Sequence, residues 1–258
     1  MVAYKIGKKS NKMKLLHINM LNRMHKLSLK SLDTQIHIIE NFGFNIKDIR
    51  VTFFGRIATV LDSRRVSYMM ISDFQNKKLS QKKYRNKVFD SKIPIYGDLD
   101  TVYSNSMGDL KRGFFLDIFQ TFESTLRQLN ISLGNDNIPA LYKILNNYIL
   151  PSTGLSNDQQ NRARELLVFI SLLRNSVHNN GIYFPVHGGY NITFPINYKG
   201  NSYTYSRNDK ILLNFELLLG VTEDVIEVLE YIIKDNNLNS HVVNSSPFRA
   251  IFIEDKTL

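Results

Sequence analysis

The sequence predicts a mainly α-helical protein: a helical bundle with one small β-hairpin and a basic, mostly helical N-terminal section. Three observations predict this. Apolar residues recur at three- and four-residue spacing through most of the chain. The period changes to strict alternation only once, between Ile192 and Tyr205. Helix stops punctuate the periodic runs, at Gly43, Pro151 and Gly181.

The 258 residues suffice for one large domain or two modest ones with a real core. There is no cysteine, which excludes a disulfide scaffold, a cysteine-ligated zinc and a cysteine nucleophile. A cytoplasmic setting is the expectation. No apolar run reaches the ~18 residues of a membrane span. Met13–Met24 is broken by His17, Asn19 and Asn22, so no signal-peptide core is expected.

The net charge of +10 is unevenly placed. Residues 1–92 hold 20 Lys and Arg against 6 Asp and Glu, a net of +14, which leaves 10 − 14 = −4 for residues 93–258. Such a basic section is a footprint for phosphate polymers, chiefly RNA or other nucleic acid. The division predicts a basic section over 1–92 and a second helical domain over 93–258, with a boundary near Ile93-Pro94-Ile95-Tyr96-Gly97-Asp98.

Met1–Lys12 reads as a loosely held basic arm. Met13–Lys30 has helical character with a weak apolar face. Leu32–Asn41 reads as a separate helix, capped by Ser31 or Asp33 and ended by Gly43. Ile46–Leu61 is expected as a helix with Ile49, Phe53, Ile57 and Val60 inward and Arg50, Arg56, Arg64 and Arg65 decorating the region. Val66–Phe74 suits helix or strand. Gln75–Lys92 carries Lys77, Lys78, Lys82, Lys83, Arg85 and Lys87, the candidate nucleic-acid contacts, with Tyr84 and Phe89 between them.

Met107–Leu129 predicts a helix with Phe115, Ile118, Phe119, Phe122, Leu126 and Leu129 inward, and Glu123 and Arg127 one turn apart on its flank. Asn137–Leu150 is a shorter helix ended by Pro151. Asn157 or Asp158 is expected to cap the next one. That helix has Ala163, Leu166, Leu167, Ile170, Leu173 and Val177 on one stripe. Ile192, Phe194, Ile196 and Tyr198, then Lys199-Gly200-Asn201, then Tyr203 and Tyr205 predict a hairpin within 182–206, with Pro185 and Pro195 marking edge strands. Ile211–Lys234 returns to helix, with Leu218, Val221, Val225, Val228, Leu229 and Ile232 inward. In the tail, Phe248, Ile251, Phe252 and Ile253 are the residues able to dock.

Phosphate-loop, dinucleotide, nucleophile-elbow and zinc-helix motifs are absent from the sequence. His17, His25 and His37 lack metal-ligand spacing, and His187 lies in the hairpin region. No metal or cofactor is expected.

The candidate site is Arg174-Asn175-Ser176-Val177-His178-Asn179-Asn180-Gly181. On a helical wheel Arg174 falls inside the apolar stripe and His178 on its edge, one turn further on. Two such side chains can converge on one anion. Cations in a last helical turn also serve as simple carbonyl caps.

Phe119-Gln-Thr-Phe-Glu123-Ser-Thr-Leu-Arg127, followed by Arg174-Asn175-Ser176-Val177-His178-Asn179, resembles the HEPN superfamily of prokaryotic α-helical domains over roughly residues 107–234. These domains are common in toxin–antitoxin and antiviral defence systems. Many resemble metal-independent endoribonucleases with an Arg, a polar residue and a His separated from the Arg by four to six residues. Here three residues intervene. The resemblance implies that His178 moves a proton at an RNA 2′-hydroxyl or leaving oxygen. It implies that Arg174 stabilises charge on the phosphate and that Asn175 orients the phosphate or holds His178. Glu123, Arg127 and Asn179 would support them. It also implies a homodimer and an antitoxin or defence-complex partner. The alternative is a non-catalytic HEPN-like binding or assembly subunit, with Arg174 anchored on Glu123 and His178 a cap. Nucleic-acid binding without chemistry is a third reading, resting on charge alone.

Overall fold

The computed structural model describes residues 2–74, 81, 99–135, 139–179, 181–182, 194–206, 208–211 and 213–239, with residues 2–16, 99–100, 194–197, 201, 205 and 239 as backbone. The chain is mainly helical, as the periodicity predicts. Helix α1 (Val2–Phe42) packs along α2 (Ile49–Asp73), and α2 along α3 (Leu99–Ser132). A short segment follows: α4 (Leu141–Lys143), a π-helical turn over Ile144–Ile149 and a 3-10 turn over Leu150–Ser152. Helix α5 (Asn157–His178) leads to the hairpin β1 (Phe194–Tyr198) and β2 (Asn201–Tyr205), then to α6 (Phe215–Lys234) and α7 (Asn236–Asn239).

Helix α1 is one continuous element from Val2, not an arm and two helices. Ser31 does not cap. It is fully buried and its Oγ donates to the Phe54 carbonyl of α2 at 2.8 Å. Ser28 Oγ donates to Asp62 Oδ2 at 2.9 Å, and Thr34 Oγ1 to its own helix at Lys30 O, 2.9 Å. The one hydroxyl residue that suggested a helix start, Ser31, therefore satisfies itself on α2 instead. Asp33 is exposed in mid-helix. Gly43 does end the helix, at φ +64°, with its N–H on Ile39 O at 3.0 Å.

Helix α2 is also longer than expected and takes in Val66–Asp73. Its N-cap is Asp48, which accepts from Arg50 N at 2.9 Å. Arg50 is not a surface decoration. It is 2 % exposed, forked onto Asp48 (Nη2–Oδ2 2.7 Å), donates to Leu238 O at 3.1 Å and lies 3.5 Å from the Phe44 ring centroid.

All six expected inward residues of α3 are buried, joined by Leu110 and Phe114. Helix α5 starts one residue before the expected cap: Ser156 and Gln159 form a reciprocal capping box, Ser156 Oγ accepting from Gln159 N at 3.3 Å and Gln159 Oε1 from Ser156 N at 3.1 Å. Helix α6 starts at Phe215, capped by Asn214 Oδ1, which accepts from Leu217 N at 2.8 Å.

Helix α6 is the centre of the bundle. It packs against α1, α3 and α5. Leu219, Ile226 and Ile233 are therefore buried beside the six expected positions.

The core is continuous. Met24, Leu27 and Ile38 of α1 share one apolar cluster with Phe53 and Ile57 of α2, Phe122 of α3, Phe169 of α5 and Leu229 of α6. The basic section is thus not set apart by a core of its own. Residues 82–98, where the boundary was expected, lie outside the described residues, as do the tail positions and Pro185. Ion pairs also join the two sections: Arg23 with Glu216 and Glu223 (3.3 Å to the latter), Lys30 with Glu227 (3.0 Å) and Arg64 with Asp117. The charge asymmetry is partly spent within the molecule.

The hairpin loop is one residue shorter than the expected Lys199-Gly200-Asn201. Tyr198 pairs with Asn201, so the loop is Lys199-Gly200 and Asn201 belongs to the strand. Both loop residues have positive φ, +49° and +71°, as a type I′ turn requires. In a two-stranded sheet each strand is an edge, which accommodates Pro195 opposite Thr204. The hairpin seats on α5 through Tyr198, whose ring stacks on Phe169 with centroids 4.2 Å apart and planes 7° apart.

Candidate functional site

The last turn of α5 presents the candidate residues. Ala163, Leu166, Leu167, Ile170, Leu173 and Val177 are buried as the wheel demands. Arg174 is not: it is exposed, and so is His178. The wheel has the right phase but too narrow a stripe. Phe169, Leu172 and Ser176 are also buried, because the hairpin covers that side. The buried sector is therefore widened on the side away from Arg174. At the end of α5 the Arg174 guanidinium carbon lies over the Phe119 ring, 6.0 Å from its centroid. The long side chain reaches solvent over that ring.

Asn175 is half-buried, and its Oδ1 accepts from Arg174 Nη1 at 3.3 Å. Glu123 does not meet Arg174. Its carboxylate holds Arg127 of its own helix, Oε1 accepting from Nε at 3.0 Å and from Nη2 at 2.6 Å. Arg127 also donates to Pro139 O at 3.4 Å. The supporting pair thus ties α3 to the segment before α4. The anchored reading of Arg174 on Glu123 is overturned by this geometry.

Asn179 is the C-cap, its N–H shared between Asn175 O (3.2 Å) and Ser176 O (3.1 Å). Gly181 closes the end at φ +83°, its N–H on Ser176 O at 2.7 Å. Arg174 and His178 lie one turn apart on the exposed side of this fixed end, and among the described residues neither joins an ion pair. Arg174 keeps most of its donors for a bidentate phosphate contact, and an imidazole beside it can accept or give a proton.

Lys77, Lys78, Lys82, Lys83, Arg85, Lys87 and His187 lie outside the described residues. Among the described residues no group of three or more His, Asp or Glu could hold a metal, and no helix is long and apolar enough to cross a membrane.

A second polar cluster was missed in the sequence. Asp224 lies on the inner face of α6 with its side chain 2 % exposed. Tyr198 donates its hydroxyl to it, Lys199 Nζ approaches at 2.9 Å and Arg162 Nη2 at 3.1 Å. Arg162 also pairs with Glu227, which Lys30 meets from α1. Burial and then the hydrogen bond to Asp224 push the Tyr198 phenol far up. Burial opposes the charge on Glu227, but Lys30 and Arg162 outweigh it and hold that carboxyl below its usual range. The same balance, burial against Asp224 and Glu227, leaves Arg162 raised. A cleft of about 250 Å³ opens here, lined by Asp158, Asn161, Arg162, Glu165, Tyr198 and Lys199. The visible signal was an acid spaced i, i+4 with Val228 inside an apolar stripe, where a carboxylate needs partners. Arg162 and Arg174 lie about 18 Å apart along α5, so this cluster and the Arg174–His178 turn are separate places.

No family model, no curated protein and no solved structure matches this chain.

Proposed function

We propose that the chain is a HEPN-like, metal-independent endoribonuclease whose site is the exposed end of α5. The observation that supports this is the state of Arg174 and His178: accessible, one turn apart, and, among the described residues, held by no ion pair. A cation fixed in a structural pair would not be available to a phosphate.

In this reading Arg174 binds the scissile phosphate through its guanidinium fork and stabilises the negative charge that grows as the 2′-oxygen attacks phosphorus. His178 takes the 2′-hydroxyl proton or gives a proton to the departing 5′-oxygen. The products are a 2′,3′-cyclic phosphate and a 5′-hydroxyl. Asn175, bonded to Arg174, orients the fork. One His supplies one of the two proton transfers, and a second copy of the chain supplies the other. The lysines and arginine of residues 77–87 hold RNA. The setting is a cytoplasmic toxin or defence effector with an antitoxin or defence-complex partner.

The three-residue spacing between Arg174 and His178 favours a second reading: the same residues hold RNA phosphate without cutting it. End-labelled RNA incubated in EDTA decides between them. Cleavage to cyclic-phosphate ends, lost in both Arg174→Ala and His178→Ala at unchanged melting temperature, supports the nuclease. Salt-sensitive binding without cleavage, weakened in Arg174→Ala, supports the binding module.

A further inference from the structure

Helix α1 has two apolar faces. Met24, Leu27, Ser28, Ser31 and Ile38 face the bundle. On the far side Ile18 is 53 % exposed, Leu29 45 %, Leu32 36 % and Ile36 51 %. At the helical repeat these four and His25 fall within an arc of about 60°. They form a straight stripe about 27 Å long. Aliphatics scattered singly on a surface need no explanation, but four in one register do.

Along one border of the stripe lie Lys26 and Asp33, with Glu40 beyond them. Among the described residues neither Lys26 nor Asp33 has an ion-pair partner within the chain. The neighbouring groove between α1 and α6, about 530 Å³, is lined by Lys26, Lys30, Asp33, His37, Glu230 and Lys234, and the end of an approaching side chain can enter it.

We propose that this stripe is a homodimer interface, with α1 packed antiparallel on α1 of a second copy. The charges select that occupant. A two-fold axis perpendicular to the helices brings this border of α1 against itself. It sets Leu29 beside Leu32 of the second copy, and Lys26 within reach of its Asp33, each contact occurring twice. A parallel pair would set this border against the opposite one, which offers His17, Leu21 and Gln35 and no acid. The stripe lies in the section outside the HEPN resemblance, so this interface is argued from α1 alone and shares with the nuclease reading only the need for a second copy.

Sedimentation of the full chain tests it. The expected result is a reversible dimer of the 29.9 kDa chain. Leu29→Glu with Ile36→Glu gives a monomer of unchanged helicity, since both positions are exposed, and its melting temperature no longer rises with protein concentration as that of the wild-type dimer does. Lys26→Glu weakens dimerisation about tenfold or more, and adding Asp33→Lys restores it, because the swap rebuilds both pairs. The chain has no native cysteine, so single cysteines report direction. Leu29→Cys is joined by a short bis-maleimide, whereas Ile18→Cys is not, its two copies lying about 37 Å apart. A monomeric wild type, a dimer that survives the two glutamates, or efficient joining through Ile18→Cys overturns the proposal. A failed RNA cleavage assay with these results intact would sink the nuclease reading alone.

Discussion

Tyr198 of the hairpin donates its hydroxyl to Asp224 in the middle of the central helix. The bond crosses from a surface element to a buried carboxylate. Arg162 and Lys199 complete the shell around that carboxylate.

Asp224→Ala should therefore destabilise the fold by about 1–3 kcal/mol, because it leaves the Tyr198 hydroxyl without its acceptor, while Arg162 keeps Glu227 and Lys199 reaches solvent. Tyr198→Phe keeps the stack on Phe169 and removes only the hydroxyl, at a cost of about 2 kcal/mol. Urea denaturation of both single variants and the double variant checks this. In the double variant the losses fall short of additivity.

Glu227 sets an acid limit. Its carboxyl is lowered in the folded chain by Lys30 and Arg162 against the effect of burial. A lowered carboxyl contributes stability that is present above the unfolded value, near 4.3, and is lost as pH falls below it towards the folded value. Melting temperatures followed from pH 7 down to about 3 should fall less steeply in Glu227→Gln than in wild type. A parallel fall in the two proteins would remove Glu227 from the account.

Asp48 both caps α2 and neutralises buried Arg50. Asp48→Ala loses both roles and leaves a buried guanidinium unpaired, for a loss of about 3–5 kcal/mol. Asp48→Asn keeps an N-cap acceptor and loses less. Chemical denaturation of the two variants separates the cap from the charge.

Arg174→Ala and His178→Ala should each change stability by no more than about 0.5 kcal/mol, since both side chains are exposed. A larger loss in either would mark that residue as a structural part of the helix end.

The helical class, the hairpin and most of the inner faces were legible because they rest on periodicity alone. Ala163 to Val177 and Phe115 to Leu129 are buried at every expected position. The borders were less so. Ser31 looks like a helix cap, but packing against α2 turns it into a seam residue, and only the tertiary contact shows this. Arg174 was assigned inward because a wheel treats cover as uniform along a helix. The hairpin covers the Phe169 side instead, and its position on α5 is not a local property of sequence. Arg50 was read as surface for the complementary reason: its partners, Asp48, Phe44 and Leu238, come from outside its own helical face. The Asp224 cluster joins residues from α5, the turn and α6, a gathering that no spacing rule contains.

The ion pairs from α1 to α6 also bear on the order of assembly. Tyr198 and Asp224 are 26 residues apart, Arg162 and Asp224 are 62, and Lys30 and Glu227 are 197. The entropy lost in closing a loop rises with its length. The hairpin should dock on α6 early, α5 next, and the α1–α2 pair, which forms from near neighbours, should close onto α6 last. Lys30→Ala would then leave the folding rate unchanged and speed unfolding, while Tyr198→Phe slows folding. The bundle would be completed by α1, the helix farthest from α6 in the sequence.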